Sequence, residues 1–473
     1  MEAARTGDLE KIKLLLAAGA DVGSYRKTGL YHSAILTEVQ AVRKTLLQEA
    51  ATHGKLEIVK LLMYAGSNIH APAAEYDGRT ALQAAAGGGH MDIVKQLIDA
   101  ESDVHASVAE HHGRTALQAA AGGGHMDIVK QLMDAGADIH APAAKYHGRT
   151  ALQAAAGGGH MDIVKQLMDA RADINAPASD GGRTALQAAA EGGHMDVVKQ
   201  LMDAGADIDA SDFGRTALQA AAGGGHMEIV KILRDTGADI NASASDGGRT
   251  ALQAAAEGGY VEIVKLLMNA GADIHAIGQL GKTALYTAAE AGSVTTVEVL
   301  MNACDESNLT ECNSSLLSAS EEGHFAVVNL LLSSRKVNIN TCNLYGLTSL
   351  HLAVSHRRNS VTSLLLAWKA KIDVRNTENK TPLHIALERK YLDTLQILLK
   401  NGASTAGVAA DEIRNILTVT PEQFVALYGE PTGAKDVEIV HYKASPNQTS
   451  HPEQPIQLFL CVFATFLPHV NVS

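Results

Sequence analysis

The 23 residues GRTALQAAAGGGHMDIVKQLMDA, from Gly113 to Ala135, return letter for letter from Gly148 to Ala170, an offset of 35 residues. Near copies of the opening Gly-Arg-Thr begin at Gly78, Gly182, Gly214 and Gly248, and a Gly-Lys-Thr begins at Gly281. A unit this short cannot enclose a core of its own. The chain must build its interior by setting one unit against the next.

Within a unit, Thr115 can cap a helix, because its hydroxyl can accept from a first-turn amide. Ala116 to Ala121 are strong helix formers around one anchor, Leu117, and Gly122, Gly123 and Gly124 then supply a stop. After His125, the residues Ile128, Val129, Leu132 and Met133 form an apolar stripe on one helical face. Each unit is thus a pair of helices of about eight residues, below the ~12–15 at which an isolated helix becomes even marginal in water. The fold class expected is all-α, a solenoid of stacked helix pairs.

Gly-x-Thr-x-Leu-x-x-Ala-Ala-x-x-Gly-His, followed by Ile-Val-x-x-Leu and Gly-Ala-Asp, resembles the ankyrin repeat over about the first 404 of 473 residues. One departure stands out: the family's Thr-Pro-Leu-His reads Thr-Ala-Leu-Gln in the central units, and only Thr381, Pro382, Leu383 and His384 keep all four letters. Alanine gives up the pre-set φ of a first-turn proline but remains a good helix former.

Composition agrees with an array. Aromatic residues make up 4% with a single tryptophan, Trp368, while glycine reaches 43, which suits close helix contacts more than one large core. The formal charge of −13 lacks the cationic excess that neutralises phosphates, so nucleic acid and anionic membrane are disfavoured partners. Cys304, Cys312, Cys342 and Cys461 show neither CxxC pairing nor disulfide spacing, and point to reduced thiols in the cytosol or nucleus. The start, Met1 to Asp8, has no apolar signal core. The most apolar run, Ile456 to Leu467, falls short of the ~18–20 residues of a membrane helix.

In order, residues 1–22 read as a partial or capping repeat, or as an array cut open upstream, and 23–43 as an insertion loop. Residues 44–302 carry the main array, with the near-identical block at 78–276, and 303–404 carry diverged repeats, making about twelve units. In the first diverged unit Ser314 is the expected cap. Residues 411–417 and 420–427 suggest two capping helices within 405–428, and 429–473 has the composition of a disordered linker and tail.

Several repeated residues invite chemistry. His90, His125, His160, His194, His226 and His324 recur at the start of second helices. Equivalent residues in stacked units stand roughly 8–10 Å apart, too far to converge on one ion at about 2.0–2.3 Å, so a structural role is expected and no metal. The Gly-Gly-Gly runs follow helices and lack a lysine, unlike phosphate loops. No cofactor is expected. Arg79, Arg114, Arg149, Arg183, Arg215 and Arg249 form a row before each cap, and Asp138, Asp173, Asp207, Asp239 and Asp273 form another at unit ends. Either the two rows pair and set the hairpins, or the arginines capture an acidic partner.

Sequence varies most in the segments between units, whether because they recognise something or because loops tolerate change. Resemblance to ankyrin arrays implies that these are fingertips which, with the first helices, line a partner-binding groove. Tyr76, His112, Tyr146 and Phe213 are then aromatic tips of a kind that anchors interfaces, and Gln83, Gln118, Gln153, Gln187, Gln219 and Gln253 face the same groove. The resemblance also implies that Asn175, Asn241 and Asn340 occupy a slot open to asparaginyl hydroxylation. The expected function is non-enzymatic: a monomeric scaffold or adaptor that binds other proteins, because a repeated surface cannot gather unlike groups at one point. Two alternatives are the sensor part of a larger signalling NTPase and a substrate-recruiting subunit of a ubiquitin ligase docking through 411–427.

Overall fold

The structure, a computed structural model, describes residues 1–18, 26–28, 42–71, 79–106, 113–146, 148–177, 182–211, 215–242, 248–278, 281–304 and 309–406. Among these residues lie 24 helices, which form twelve consecutive pairs. The unit from Gly148 is typical: Ala151–Gly157 has 7 residues and Met161–Asp169 has 9. Thr150 sits in extended conformation at the first cap, and its hydroxyl accepts from the Gln153 amide at 3.2 Å.

The turn between the two helices needs glycine for two reasons at once. Gly124 takes φ +76°, a left-handed conformation that L side chains rarely adopt. A Cβ there would also stand 2.6 Å from the His160 ring of the following unit. That ring is in place because its Nε2–H donates to the Gly122 carbonyl at 3.2 Å, and His125, His194 and His226 reach back in the same way to Gly87, Gly157 and Glu191. The histidine row therefore ties each unit to the one before it.

Stacking supplies the interior. Ala151–Gly157 packs between Ala116–Gly122 and Ala185–Glu191, and Met161–Asp169 packs between Met126–Asp134 and Met195–Asp203. Leu152, Ile163, Val164 and Leu167 are all at most 2% exposed, and they belong to a single apolar cluster that runs from Ala3 to Ala403. Short alanines on the first helices let neighbours approach closely, so burial passes from unit to unit without a central core.

The glutamines do not face a groove. Gln83, Gln118, Gln153, Gln187, Gln219 and Gln253 are each 1–2% exposed. Gln153 Oε1 accepts from the Thr150 amide at 2.9 Å, completing a capping box, while Nε2 donates to the Ala176 carbonyl at 3.0 Å. Every first-helix side chain from Ala151 to Ala156 is buried, so a polar residue in that stretch has to satisfy itself inside the protein. The departure from the family's histidine is thereby explained. In the diverged unit, His351 Nδ1 accepts from the Thr348 amide at 3.2 Å and Nε2–H donates to the Lys380 carbonyl at 3.2 Å, the same two tasks that glutamine performs elsewhere.

Two other expectations change. Ser314 is not a cap: the helix Leu309–Glu322 starts further upstream, and Ser314 Oγ donates to the Glu311 carbonyl from inside it. The insertion is joined at its ends by two short strands, Arg26–Thr28 and Val42–Lys44, which pair antiparallel with Arg26 opposite Lys44. The expected helices at 411–417 and 420–427 and the tail lie outside the described residues.

Leu152→Ala should cost about 2–5 kcal/mol and split thermal unfolding of the array into two transitions, because coupling runs only between neighbours. A calorimetric scan checks this. A pH effect follows from His351, whose buried imidazole is held below its ordinary value of 6.5 chiefly by desolvation. Below that value the unfolded chain takes up a proton that the folded chain resists, so this contribution is intact above pH 6.5 and is lost as pH falls. His351→Gln, which copies the units of the near-identical block, should make the melting temperature less steeply dependent on pH in that acid range.

Candidate protein-binding surface

Each arginine of the row lies one residue before a threonine cap, at the edge of the buried first helix. Its guanidinium reaches along the helix to the residue eight positions on. Where that residue is glutamate an ion pair forms: Arg183 with Glu191 at 2.5 Å, Arg249 with Glu257, and the lysines Lys282 with Glu290 at 2.7 Å and Lys380 with Glu388 at 2.9 Å. Arg215 turns back to Glu191 of the preceding unit at 3.3 Å.

In three adjacent units the position eight on is glycine. Built Cβ atoms at Gly87, Gly122 and Gly157 would lie 3.7, 3.6 and 3.3 Å from Nη1 of Arg79, Arg114 and Arg149, where four other units place a glutamate. Among the described residues none of these three arginines has a carboxylate partner. Burial, then the charges of Arg149 and Arg79, pulls Arg114 below the usual arginine range. The three cations therefore form a strip, with Arg79 and Arg114 exposed and Arg149 half-buried, whose like charges act against one another at Arg114, on a chain whose overall charge is −13. Such a strip is relieved by an incoming anion.

The aspartate row is engaged otherwise. Asp138, Asp173, Asp207, Asp239 and Asp273 each accept the backbone amide two residues on, at 2.9–3.1 Å in the row as a whole, with Asp138 to His140 at 2.9 Å as an example. Each closes its own turn through an Asx bond. The expected Arg–Asp pairing between rows is absent from the described residues, because the short aspartate is used up locally and the glutamates lie nearer the guanidinium groups.

Of the aromatic tips, Tyr146 is half-buried with Lys145 Nζ 5.0 Å from its ring centre. Tyr76, His112 and Phe213 lie outside the described residues. The most prominent described finger was not singled out from sequence. At the turn Asn343–Gly346, Leu344 is 97% and Tyr345 69% exposed, and the Tyr345 carbonyl accepts from the Thr377 amide of the next finger at 3.1 Å. The signal was present: Tyr345 directly precedes the opening glycine of its unit, Gly346, much as Tyr146 stands just before Gly148. The first helices, by contrast, offer the surface almost no side chains, since their residues are buried against adjacent units.

Asn175 and Asn241 sit in the exposed slot expected of them, but both ends of each side chain are occupied. Asn175 Nδ2 donates to the Gly205 carbonyl at 3.1 Å and Oδ1 accepts from the Asp207 amide at 2.9 Å; Asn241 repeats the pattern with Gly271 and Asp273. These amides are links between successive units.

A model of ankyrin repeats, three copies to a match, fits residues 47–143, 140–212, 209–277 and 316–406. The chain belongs to the ankyrin-repeat family. The ankyrin repeat protein YahD of Escherichia coli strain K12 is 32% identical over 93 residues, covering 19% of this chain and 46% of that protein. Protein phosphatase 1 regulatory subunit 27 is 34% identical over 82 residues in both the mouse and the human protein, covering 17% of this chain and 53% of theirs. The matched stretch thus spans about half the length of each relative. Ankyrin repeats are protein-interaction modules, and no helix among the described residues is long and apolar enough to cross a membrane.

The glycine–glutamate alternation can be tested directly. Gly122 is helical, and a Cβ there would meet only Ala154 at 3.4 Å and Arg114 at 3.6 Å. Gly122→Glu should therefore stabilise the array by ~0.5–1 kcal/mol through helix propensity, with a pair to Arg114 adding about 0–1 kcal/mol. Denaturant unfolding at low and high salt would separate the two contributions.

Proposed function

We propose that this ankyrin array is a non-enzymatic adaptor that holds an acidic segment of a partner protein along the Arg79, Arg114 and Arg149 strip, with the fingers beside it supplying apolar contacts. The observation that carries the reading is the local charge imbalance: three neighbouring cations lack carboxylates in the positions where four other units supply them. Arginine suits the task because its planar fork binds carboxylates two bonds at a time. The similarity to a phosphatase regulatory subunit supports a role in bringing proteins together. Within this proposal the chain acts as a monomer, and Tyr76, His112, Tyr146, Phe213, Leu344 and Tyr345 are finger contacts.

A fluorescent glutamate-rich peptide titrated into the intact chain tests the strip. Binding should weaken with added salt, and replacing Arg79, Arg114 and Arg149 together by glutamine should weaken it at least about tenfold, or ~1.4 kcal/mol. Gly122→Glu should act in the same direction while leaving the fold intact, whereas Arg215→Gln, which removes an arginine already paired to Glu191, should change little. If the triple variant binds the peptide as tightly as the parent, the strip is not the docking surface.

A further inference from the structure

In three units of the main block a side chain in the slot after Ala-Asp-Ile ties its unit to the next: Asn175, Asp209 and Asn241. Asn241 does this by reaching the carbonyl of Gly271. One unit later the pattern breaks. His275 stands where Asn241 stood, and Cys304 stands where Gly271 stood, as the matched runs Met268-Asn269-Ala270-Gly271 and Met301-Asn302-Ala303-Cys304 show. The backbone follows: Gly271 has φ +88°, whereas Cys304 is extended at φ −77° and ψ 132°.

A third residue joins them. Glu311, in the first turn of Leu309–Glu322, places Oε1 2.9 Å from His275 Nδ1. One potential ligand atom from each of His275, Cys304 and Glu311 lies within 4.8 Å of those of the other two. Cys304 is 5% exposed, and Glu311 Oε2 is buried without a hydrogen bond from any described residue. Lys336 Nζ donates to the Cys304 carbonyl at 3.0 Å, which fixes the backbone that carries the thiol.

An imidazole, a thiol and a carboxylate are the nitrogen, sulfur and oxygen donors favoured by a borderline-soft divalent ion. Bonds of about 2.0–2.3 Å in a tetrahedron hold donor atoms roughly 3–4 Å apart. Closing the cluster from its present separation asks for side-chain rotation of His275 and Glu311, both half-buried, and no refolding. The ion would take the place of the shared hydrogen between His275 and Glu311. It would also give Oε2 a partner that no described residue provides.

We propose that His275, Cys304 and Glu311 form a mononuclear zinc-class site with one position open to water, which replaces the asparagine link at the junction between the near-identical block and the diverged units. The ligands come from three successive stretches of the array, separated by 29 and 7 residues, a spacing that matches no zinc motif.

The test uses the full chain, stripped with a chelator and titrated with Co2+ as a spectroscopic probe, then with Zn2+ in competition. One equivalent of Co2+ should bind, with a thiolate-to-cobalt charge-transfer band and the visible bands of four-coordinate cobalt, and Zn2+ should displace it. Cys304→Ser should abolish the charge-transfer band, and Glu311→Gln should weaken binding at least about tenfold. His275→Asn restores the residue used in other units, so it should keep the thermal stability of the metal-stripped parent while losing stoichiometric uptake. Cys342→Ser, at an exposed position, should leave the titration unchanged. Absence of stoichiometric uptake in the parent, or binding that survives both Cys304→Ser and His275→Asn, overturns the proposal.

Discussion

Everything in this protein rests on the contact between one helix pair and the next. Helices of 7 and 9 residues cannot hold themselves in water, and no unit has enough apolar surface to close a core. The unit therefore exports its hydrophobic faces. Leu152 and Val164 are buried only because other units lie on either side, and the same statement applies to their counterparts along the array. Alanine makes this possible, since its small side chain lets first helices pack closely at little entropic cost.

Polar groups follow the same rule of dependence on the neighbour. The His160 ring donates into the preceding unit, the Asn175 amide bridges to the following one, and Gln187 Nε2 reaches the Arg215 carbonyl across the unit boundary at 2.8 Å. These bonds are directional where the apolar contacts are not. They fix register between units, which matters in a stack of near-identical elements that would otherwise slide.

Period, caps and apolar stripe were all legible in the sequence, because each depends on local chemistry: threonine at the cap, glycine where φ turns positive, and Ile-Val-x-x-Leu on one face. The glutamine row was misread for a physical reason. In an ordinary amphipathic helix a polar residue marks the solvent side, but a first helix sandwiched on several sides has almost no solvent side, so polarity signals an internal bond. The arginine row was only half legible. Its arginines could be seen, but their partners lie eight residues away across a helix, a relation that no short-range pattern encodes. Aspartates close by in sequence proved to be spent on their own turns. Leu344 and Tyr345 stand before Gly346 much as Tyr146 stands before Gly148, but their unit departs from the repeated block, which makes the equivalence harder to see.

A repeat array offers evolution an unusual separation of stability from surface chemistry. At the position held by Gly122 or Glu191, the first helix and its packing are nearly the same, yet one letter decides whether the arginine before the cap is neutralised. Because stacking fixes the backbone without consulting that side chain, charge can be switched on or off unit by unit at a cost of about 1 kcal/mol or less. Three of the glycine-bearing units are consecutive, so the cations of Arg79, Arg114 and Arg149, which have no carboxylate partner among the described residues, add into one strip instead of being scattered. Identical scaffolding thus carries a non-uniform electrostatic message, and it is that non-uniformity, more than any single residue, which gives an otherwise repetitive surface a place to bind.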